Sequence, residues 1–469
     1  MRDHVTIRVI TGRSRRPYSA GGFSLVVLVA PAFGRGDQAR AASASSRCPV
    51  VAAAKGTHPA LGTSRPAPQL SATDNAVKDA ESRIARNPAD TAATKSLVGA
   101  LLQKVREEAD PSLYLRIDQK LTSLGGVRST DPEVLLLEGT LLLARHQFNE
   151  ALALGKRVSA ALPDNASAYG ILVDAFNELG RYDDALATTQ RMVDVRPGVA
   201  SFARVSYARE LRGDMAGALE AMQQAVIASQ GRGENAAYVQ TLLGNLFLAQ
   251  GNFADASASY SDALRFFPGF GPARAGQAGV LSACGLPVEA ARIMGAIIET
   301  QPVLQYAMAQ ADYFRSGGMT KEAAESLQLV DAIAQLQRAN GVDIDLEMAV
   351  YEANRRPSLA LLASTRRAVA KRPSVTGFDS LAWVLYRVGK TSEAASAISR
   401  VAQLGDRDPV IRFHAAVIFL AAGAKTAARE NLDIVLSGNP RAYGIDPSEL
   451  ERVQLELRGH ASGLRVAPR

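Results

Sequence analysis

Apolar side chains recur at helical spacing along most of this chain, and the runs are punctuated at fixed intervals. From residue 131 to 440 one pattern keeps returning: a Gly, then an aromatic or small residue two positions on, an Ala three beyond that, and a Pro twelve after the Ala. Gly180-Arg181-Tyr182-Asp183-Asp184-Ala185 leads to Pro197, Gly251-Asn252-Phe253-Ala254-Asp255-Ala256 to Pro268, and Gly285 through Ala290 to Pro302. The steps Pro163 to Pro197 and Pro268 to Pro302 are both 34 residues. The pattern predicts pairs of amphipathic helices. Gly frees the backbone where the first helix ends, Ala lets the second approach the first, and Pro closes the unit. In the unit from 166 to 199, Tyr169, Leu172, Phe176, Ala185 and Met192 share the apolar face. One pair cannot bury that face alone, so stacked pairs must share a core.

The register extends to eight units, beginning near Pro132, Ala166, Val199, Ala237, Gly271, Leu304, Val375 and Pro409. Their turn residues are His146, Gly180, Gly213, Gly251, Gly285, Gly318, Gly389 and Gly423, and their small residues are Ala151, Ala185, Ala218, Ala256, Ala290, Ala323, Ala394 and Ala428. Two breaks interrupt the array. Residues 228–236 lengthen the connection after the third unit, and 331–373 carries a divergent pair with helices expected at 344–355 and about 358–371, closed by Pro373. The segment 74–130 reads as a helical N-terminal cap, with a first helix ending at Asn87-Pro88 and others over 90–107 and 111–124. The expected organisation is therefore a leader over 1–73, the cap over 74–130, a repeat array over 131–330, the divergent pair over 331–373, more repeats over 374–440, and a C-terminal helix and tail over 441–469.

The period and the Gly/Ala/Pro punctuation resemble the tetratricopeptide repeat. The resemblance implies an all-α fold, a tetratricopeptide-type right-handed α-solenoid of stacked helix-turn-helix pairs, whose concave face is lined by the first helix of each unit. In that family, positions 2, 5, 9, 12 and 13 commonly face the groove. Carried over, they give Asp174, Asn177 and Glu178, then Tyr207 and Glu210, then Tyr238, Thr241 and Asn245, then Asp312 and Arg315, and finally Asp379, Trp383, Tyr386 and Arg387. Such a mixture suits an extended peptide, with Asn pairing to backbone and aromatics or Arg as anchors. Trp383 and Tyr386 have a second reading, packing against the neighbouring unit. The family's carboxylate clamp is not matched, since position 5 carries no Lys and only Asn245 fits at position 9. The stretches Arg191–Asp214, Glu234–Gly251, Ala339–Asn354, Asp379–Gly389 and Asp406–Gly423 further resemble one group of bacterial repeat proteins in which export recurs.

Charge changes the picture of the leader only. Ten Arg and Lys against Asp3 and Asp37 give residues 1–73 a charge of +8, while the whole chain carries +7, leaving about −1 for the rest. A nucleic-acid reading based on net charge therefore fails. The leader reads as an export signal. A basic start precedes the apolar run Phe23–Ala30, Ala39-Arg40-Ala41 and Ala42-Ser43-Ala44 are cleavage candidates, and Ser14-Arg15-Arg16-Pro17-Tyr18 loosely resembles a twin-arginine motif. A disordered or mis-started N-terminus is the alternative, and with it a cytoplasmic location. The apolar run is far short of the ~20 residues a membrane span requires. Cys48 and Cys284 are the only cysteines. A bridge between them is not expected, and Cys284 reads as a small buried filler.

Catalytic signatures do not assemble. Gly389-Lys390-Thr391 ends like a phosphate-binding loop, but Val384 stands where that loop needs Gly, and the triplet is a repeat turn. Gly269-Phe270-Gly271 begins like a dinucleotide fingerprint, but Arg274 occupies the third glycine position. His4, His58, His146, His414 and His460 include no pair at metal-ligand spacing, and no metal or other cofactor is expected. No unassigned stretch of about 100 residues remains for a catalytic domain. The leading expectation is a non-enzymatic scaffold that binds a protein or peptide in its concave groove. The alternative is an envelope-complex assembly or tethering factor that uses its convex face or the 331–373 insertion.

Overall fold

The computed structural model describes residues 71–402, 407–437, 440–443 and 445–459. The leader, with its apolar run, cleavage candidates and Cys48, lies outside the described residues. Among those described are 22 α-helices. Three precede the array: α1 (Ala72–Arg86), α2 (Thr91–Glu108) and α3 (Leu113–Ser123). The first unit is α4 (Pro132–Ala144) with α5 (Phe148–Ala161), the second α6 (Ala166–Glu178) with α7 (Tyr182–Val195), and the third α8 (Val199–Glu210) with α9 (Met215–Ser229). The fourth is α10 (Gly233–Ala249) with α11 (Phe253–Phe266), the fifth α12 (Gly271–Ala283) with α13 (Pro287–Ile298), and the sixth α14 (Leu304–Ser316) with α15 (Thr320–Ala339). The divergent pair is α16 (Asp345–Arg355) with α17 (Leu359–Lys371). The seventh unit is α18 (Val375–Arg387) with α19 (Thr391–Ala402), the eighth α20 (Pro409–Ala421) with α21 (Lys425–Ser437), and α22 (Pro447–Gly459) follows a 3-10 turn at Pro440–Tyr443.

The repeat punctuation works as local chemistry dictates. Every turn glycine of the register has φ between 69° and 83°, the left-handed region that a Cβ disfavours. His146 adopts the same turn with φ 60°, which costs a non-glycine residue free energy that the surroundings must supply. The eight small residues are all buried, from Ala151 to Ala428, so each pair closes with nothing between its helices. Asn165, Ser374 and Asp408 cap the helices that follow them through side-chain oxygens.

Successive first helices touch one another from α4 to α12 and again from α16 to α20, whereas no two successive second helices pack as closely. The first-helix layer therefore has the shorter perimeter and forms the concave side. The curvature is strong enough to bring distant units together. One continuous buried cluster joins Leu97, Leu101, Ile117 and Leu121 of the cap to Ile297, Leu304, Ile333 and Ile344 of the later units. Full burial of such a side chain stabilises by about 1.5–3 kcal/mol.

Two expectations are corrected here. The residues after the third unit do not only lengthen a connection, because α10 starts at Gly233 and gains a turn ahead of Ala237. That turn holds because Glu234 is buried against Arg106 of the cap, at 3.3 Å. Cys284 is half-buried at the end of α12, not a fully buried filler.

Candidate functional site

On the concave side of units two to four, polar residues form a ladder across helices. Arg204 of α8 donates from Nε and Nη2 to the two oxygens of Asp174 on α6, at 2.8 and 2.5 Å. Tyr238 of α10 stands beside them, and burial pushes its hydroxyl up to about 12, with Arg204, Asp174, Glu234 and Arg106 as its charged neighbours. Asn177 is buried on α6, and Tyr207 and Glu210 are half-buried on α8. Thr241 is buried and donates to the Ala237 carbonyl. Asp174 and Tyr238 were legible from their positions. Arg204, which links them, was not, because it sits one place outside the carried-over positions.

Across units four to six the groove is filled by the chain itself. Asn245 accepts a hydrogen bond from Tyr260 of α11, at 2.8 Å, and Tyr260 is fully buried. The 3-10 turn Pro440–Tyr443 packs on α12 and on α20, the first helices of the fifth and eighth units. Tyr443 joins the core of units four and five, with Tyr260, Asp408, Glu210 and Tyr313 around it, and burial raises its hydroxyl well above the usual tyrosine value. Ile445 is buried, and with Pro447 it walls a cleft whose other side is Ser282, Gly285, Pro287 and Ser316. Asp312 is half-buried at the same place, 2.9 Å from the exposed Arg315. Burial pushes the Asp312 carboxyl up to about 6, with the like charge of Asp446 adding and Arg315 opposing.

The four residues on α18 are engaged with their neighbours. Asp379 is buried and accepts from His414 Nδ1 of α20, at 2.9 Å. Trp383 is 2 % exposed, stacks on His414 with ring centres 4.0 Å apart, and donates from Nε1 to Asn354 at 2.8 Å. Arg387 donates to the same Asn354 oxygen at 2.9 Å, and Tyr386 leans on Trp383 at 5.3 Å. Of the two readings of Trp383, the structure shows inter-unit packing. Asn354, the acceptor shared by Trp383 and Arg387, belongs to the divergent pair and carried no signal in the sequence.

A second long-range contact, here called the seam, joins units one and two to the divergent pair and to the start of unit seven. His146 Nδ1 lies 2.9 Å from the Asp343 carbonyl, which can only accept, so that nitrogen carries the proton. The Asp343 amide in turn donates to the Arg145 carbonyl at 3.1 Å. Arg372 is buried and donates to Glu178 at 2.7 Å and to Glu347 at 2.6 Å, with its guanidinium 5.0 Å from the centre of the Phe148 ring. Burial opposes the charge on Glu347, yet Arg372 and His146 hold its carboxyl below the usual range. Tyr182 accepts from the Val375 amide at 2.8 Å, and Asn149 donates to the Lys371 carbonyl at 3.0 Å. Glu178, carried over as a groove position, is thus the anchor of the seam. His146 departs from the turn glycine because its side chain bonds another unit, which offsets the cost of its backbone.

No group of three or more His, Cys, Asp or Glu placed to hold a metal occurs among the described residues. No helix among them is long and apolar enough to cross a membrane.

No curated protein matches the chain. Among solved structures, a thermophilic tetratricopeptide-repeat protein of Thermus thermophilus is 22% identical, covers 45% of this chain and 99% of its own, and superposes with a TM-score of 0.32. The Cut9–Hcn1 hetero-tetramer of the APC/C is 13% identical over 81% of this chain and 93% of that one, with a TM-score of 0.36. The type IV pilus biogenesis factor PilW is 15% identical over 43% and 92%, also at 0.36. Superpositions this loose carry no argument about function. The tetratricopeptide-repeat family matches residues 142–206 and again residues 380–442, segments that hold α6 and α20 with their turn residues Gly180 and Gly423. With those two matches and the repeated turn geometry of eight helix pairs, the chain belongs to the tetratricopeptide-repeat superfamily.

Proposed function

We propose that the chain is a non-catalytic scaffold whose concave, first-helix face holds a segment of a protein partner. The observation that supports this is the concave face of units four to six, which already holds the 3-10 turn Pro440–Tyr443. A surface that takes in an aromatic side chain on a short turn has the shape and chemistry of a peptide site. The accessible groove positions are Tyr207, Glu210, Arg315, Tyr386 and Arg387, whereas Asn177, Asp379 and Trp383 act by fixing the helices that present them. We read the partner as protein and the location as exported. The basic-apolar leader supports that location.

The test is affinity capture from lysate and envelope fractions with the full chain, against a bait carrying Tyr207→Ala, Arg315→Ala and Tyr386→Ala. A partner retained by the first bait and lost from the second, at unchanged helicity, supports the groove. Equal capture by both contradicts it. One observation favours the tethering alternative: Leu329 and Leu336 on the long helix α15 are 36% and 42% exposed, two turns apart. A partner lost on Leu329→Ser with Leu336→Ser instead would move the site to that helix.

A further inference from the structure

We infer that the outward face of α17, with the turn that leads into it, is a docking surface for an anionic phospholipid bilayer, which the protein binds peripherally. This face belongs to the convex layer, opposite the groove, so either reading can fail without the other.

Charge is segregated onto this stretch. Residues 353–378 carry Arg355, Arg356, Arg366, Arg367, Lys371 and Arg372 and no Asp or Glu, although residues 74–469 as a whole carry about −1. Among the described residues, α17 is the one second helix without an acidic side chain, and those of the eight repeat units each have at least one. The helical period sorts its positions. Leu361, Leu362, Thr365, Ala368 and Val369 are buried against α16 and α18, while Leu359, Ala363, Arg366, Arg367, Ala370 and Lys371 are exposed. Of the six cations only Arg372 is buried, at the seam. Arg355 lies 3.3 Å from Asp331, Arg366 2.6 Å from Glu393 and Lys371 3.9 Å from Asp343. Such solvent-facing pairs hold a cation weakly and leave it available. Among the described residues no carboxylate pairs with Arg356 or Arg367. Three observations favour a lipid surface over an acidic protein segment. The face is convex with Ala363 and Ala370 between its cations, so it offers no groove to a peptide. Its cations extend along a 13-residue helix, about 20 Å, which suits an array of phosphates and not a single anion. Leu359 is 67% exposed at the start of that helix, next to Arg355, Arg356 and Pro357. An apolar tip flanked by cations enters the headgroup region, leucine inward and arginines at phosphate level.

The experiment uses the full chain with Leu359→Trp and, as its control, Ile227→Trp, a position 69% exposed on another second helix, α9. Vesicles of phosphatidylglycerol with phosphatidylcholine, their acyl chains brominated, quench a tryptophan that reaches them. The native Trp383 is buried and reports folding in both chains. Position 359 should be quenched on these vesicles and not on phosphatidylcholine alone, and position 227 on neither. The readout is positional, so binding through the basic leader, which has no Trp, does not imitate it. Adding Arg356→Glu with Arg367→Glu should raise the lipid concentration for half-quenching at least ~10-fold. The same change of charge at Arg265 and Lys321, exposed on α11 and α15, should leave it nearly unchanged. No quenching at position 359, equal quenching at position 227, or quenching that survives the loss of Arg356 and Arg367 overturns the inference. Binding of a poly-glutamate peptide that requires Arg356 and Arg367, without quenching by vesicles, would assign the face to an acidic protein and overturn it equally.

Discussion

The two places where the solenoid meets itself are held by different chemistry. At the seam, Arg372 sits between Glu178 and Glu347, with His146, Tyr182 and Asn149 completing the contact through backbone groups. In the groove, Tyr443 and Ile445 supply apolar contacts, and Asp312 and Asp446 both lie near one cation, the exposed Arg315. A buried, hydrogen-bonded charge cluster is costly to break and has one geometry. An apolar anchor on a short segment has neither property to the same degree. The seam is thus the more constrained of the two contacts.

The largest expected effect breaks the seam. Arg372→Met leaves Glu178 and Glu347 buried without a counter-charge and should cost about 3–5 kcal/mol in urea unfolding. A loss under about 1 kcal/mol would mean the seam does not hold the fold. Ala256→Trp disrupts a unit rather than a contact between windings. Ala256 is fully buried where α10 and α11 close, so overpacking should cost about 1–3 kcal/mol and broaden the transition. Unchanged melting would refute the register.

Two turn glycines separate repeat chemistry from seam chemistry. Gly180 and Gly251 have φ of 69° and 73°, but a Cβ at Gly180 would collide with the Pro373 carbonyl, while one at Gly251 meets open space. Gly251→Ala should cost about 1–2 kcal/mol, the left-handed penalty alone, and Gly180→Ala measurably more. Equal losses in thermal melts would place Pro373 elsewhere.

Acid should act on the two contacts in opposite senses. The Glu347 carboxyl is held below its ordinary value, so its contribution is present at neutral pH and is lost as pH falls through that depressed folded value. Asp312 is raised to about 6, so its contribution is full below its unfolded value near 3.8 and is lost as pH rises through about 6. The chain should therefore gain stability from this group as pH falls from 7.5 to 5. Asp312 is 39% exposed, and solvent screening keeps this effect under about 1 kcal/mol. An Asp312→Asn chain that changes stability between pH 7.5 and pH 5 as wild type does would contradict the assignment.

What the sequence reveals and what it hides follow from range. Gly180 or Ala256 answers to a local demand, a left-handed turn or a close helix approach, and such demands recur with the period. The helices of the cap and of the divergent pair were legible for the same reason, with ends within three residues of those observed. The seam joins residues about 190 to 220 positions apart, and periodicity says which face a residue occupies without saying which winding it meets. One signal was present. His146 stands where seven other units have glycine, and a non-glycine residue at such a turn implies a contact strong enough to hold it there. Trp383 shows the converse, since a groove position in one unit can be covered by the next when a ring is large enough to stack on His414.

Amide hydrogen exchange on the full chain tests most directly the claim that the seam is the more constrained of the two contacts. The account predicts that the Asp343 and Val375 amides, which donate across the seam, exchange only with global unfolding, while the Leu450 amide in the first turn of α22, beside the 3-10 turn, exchanges orders of magnitude faster. Equal rates at the two places, or a seam that exchanges first, would contradict it.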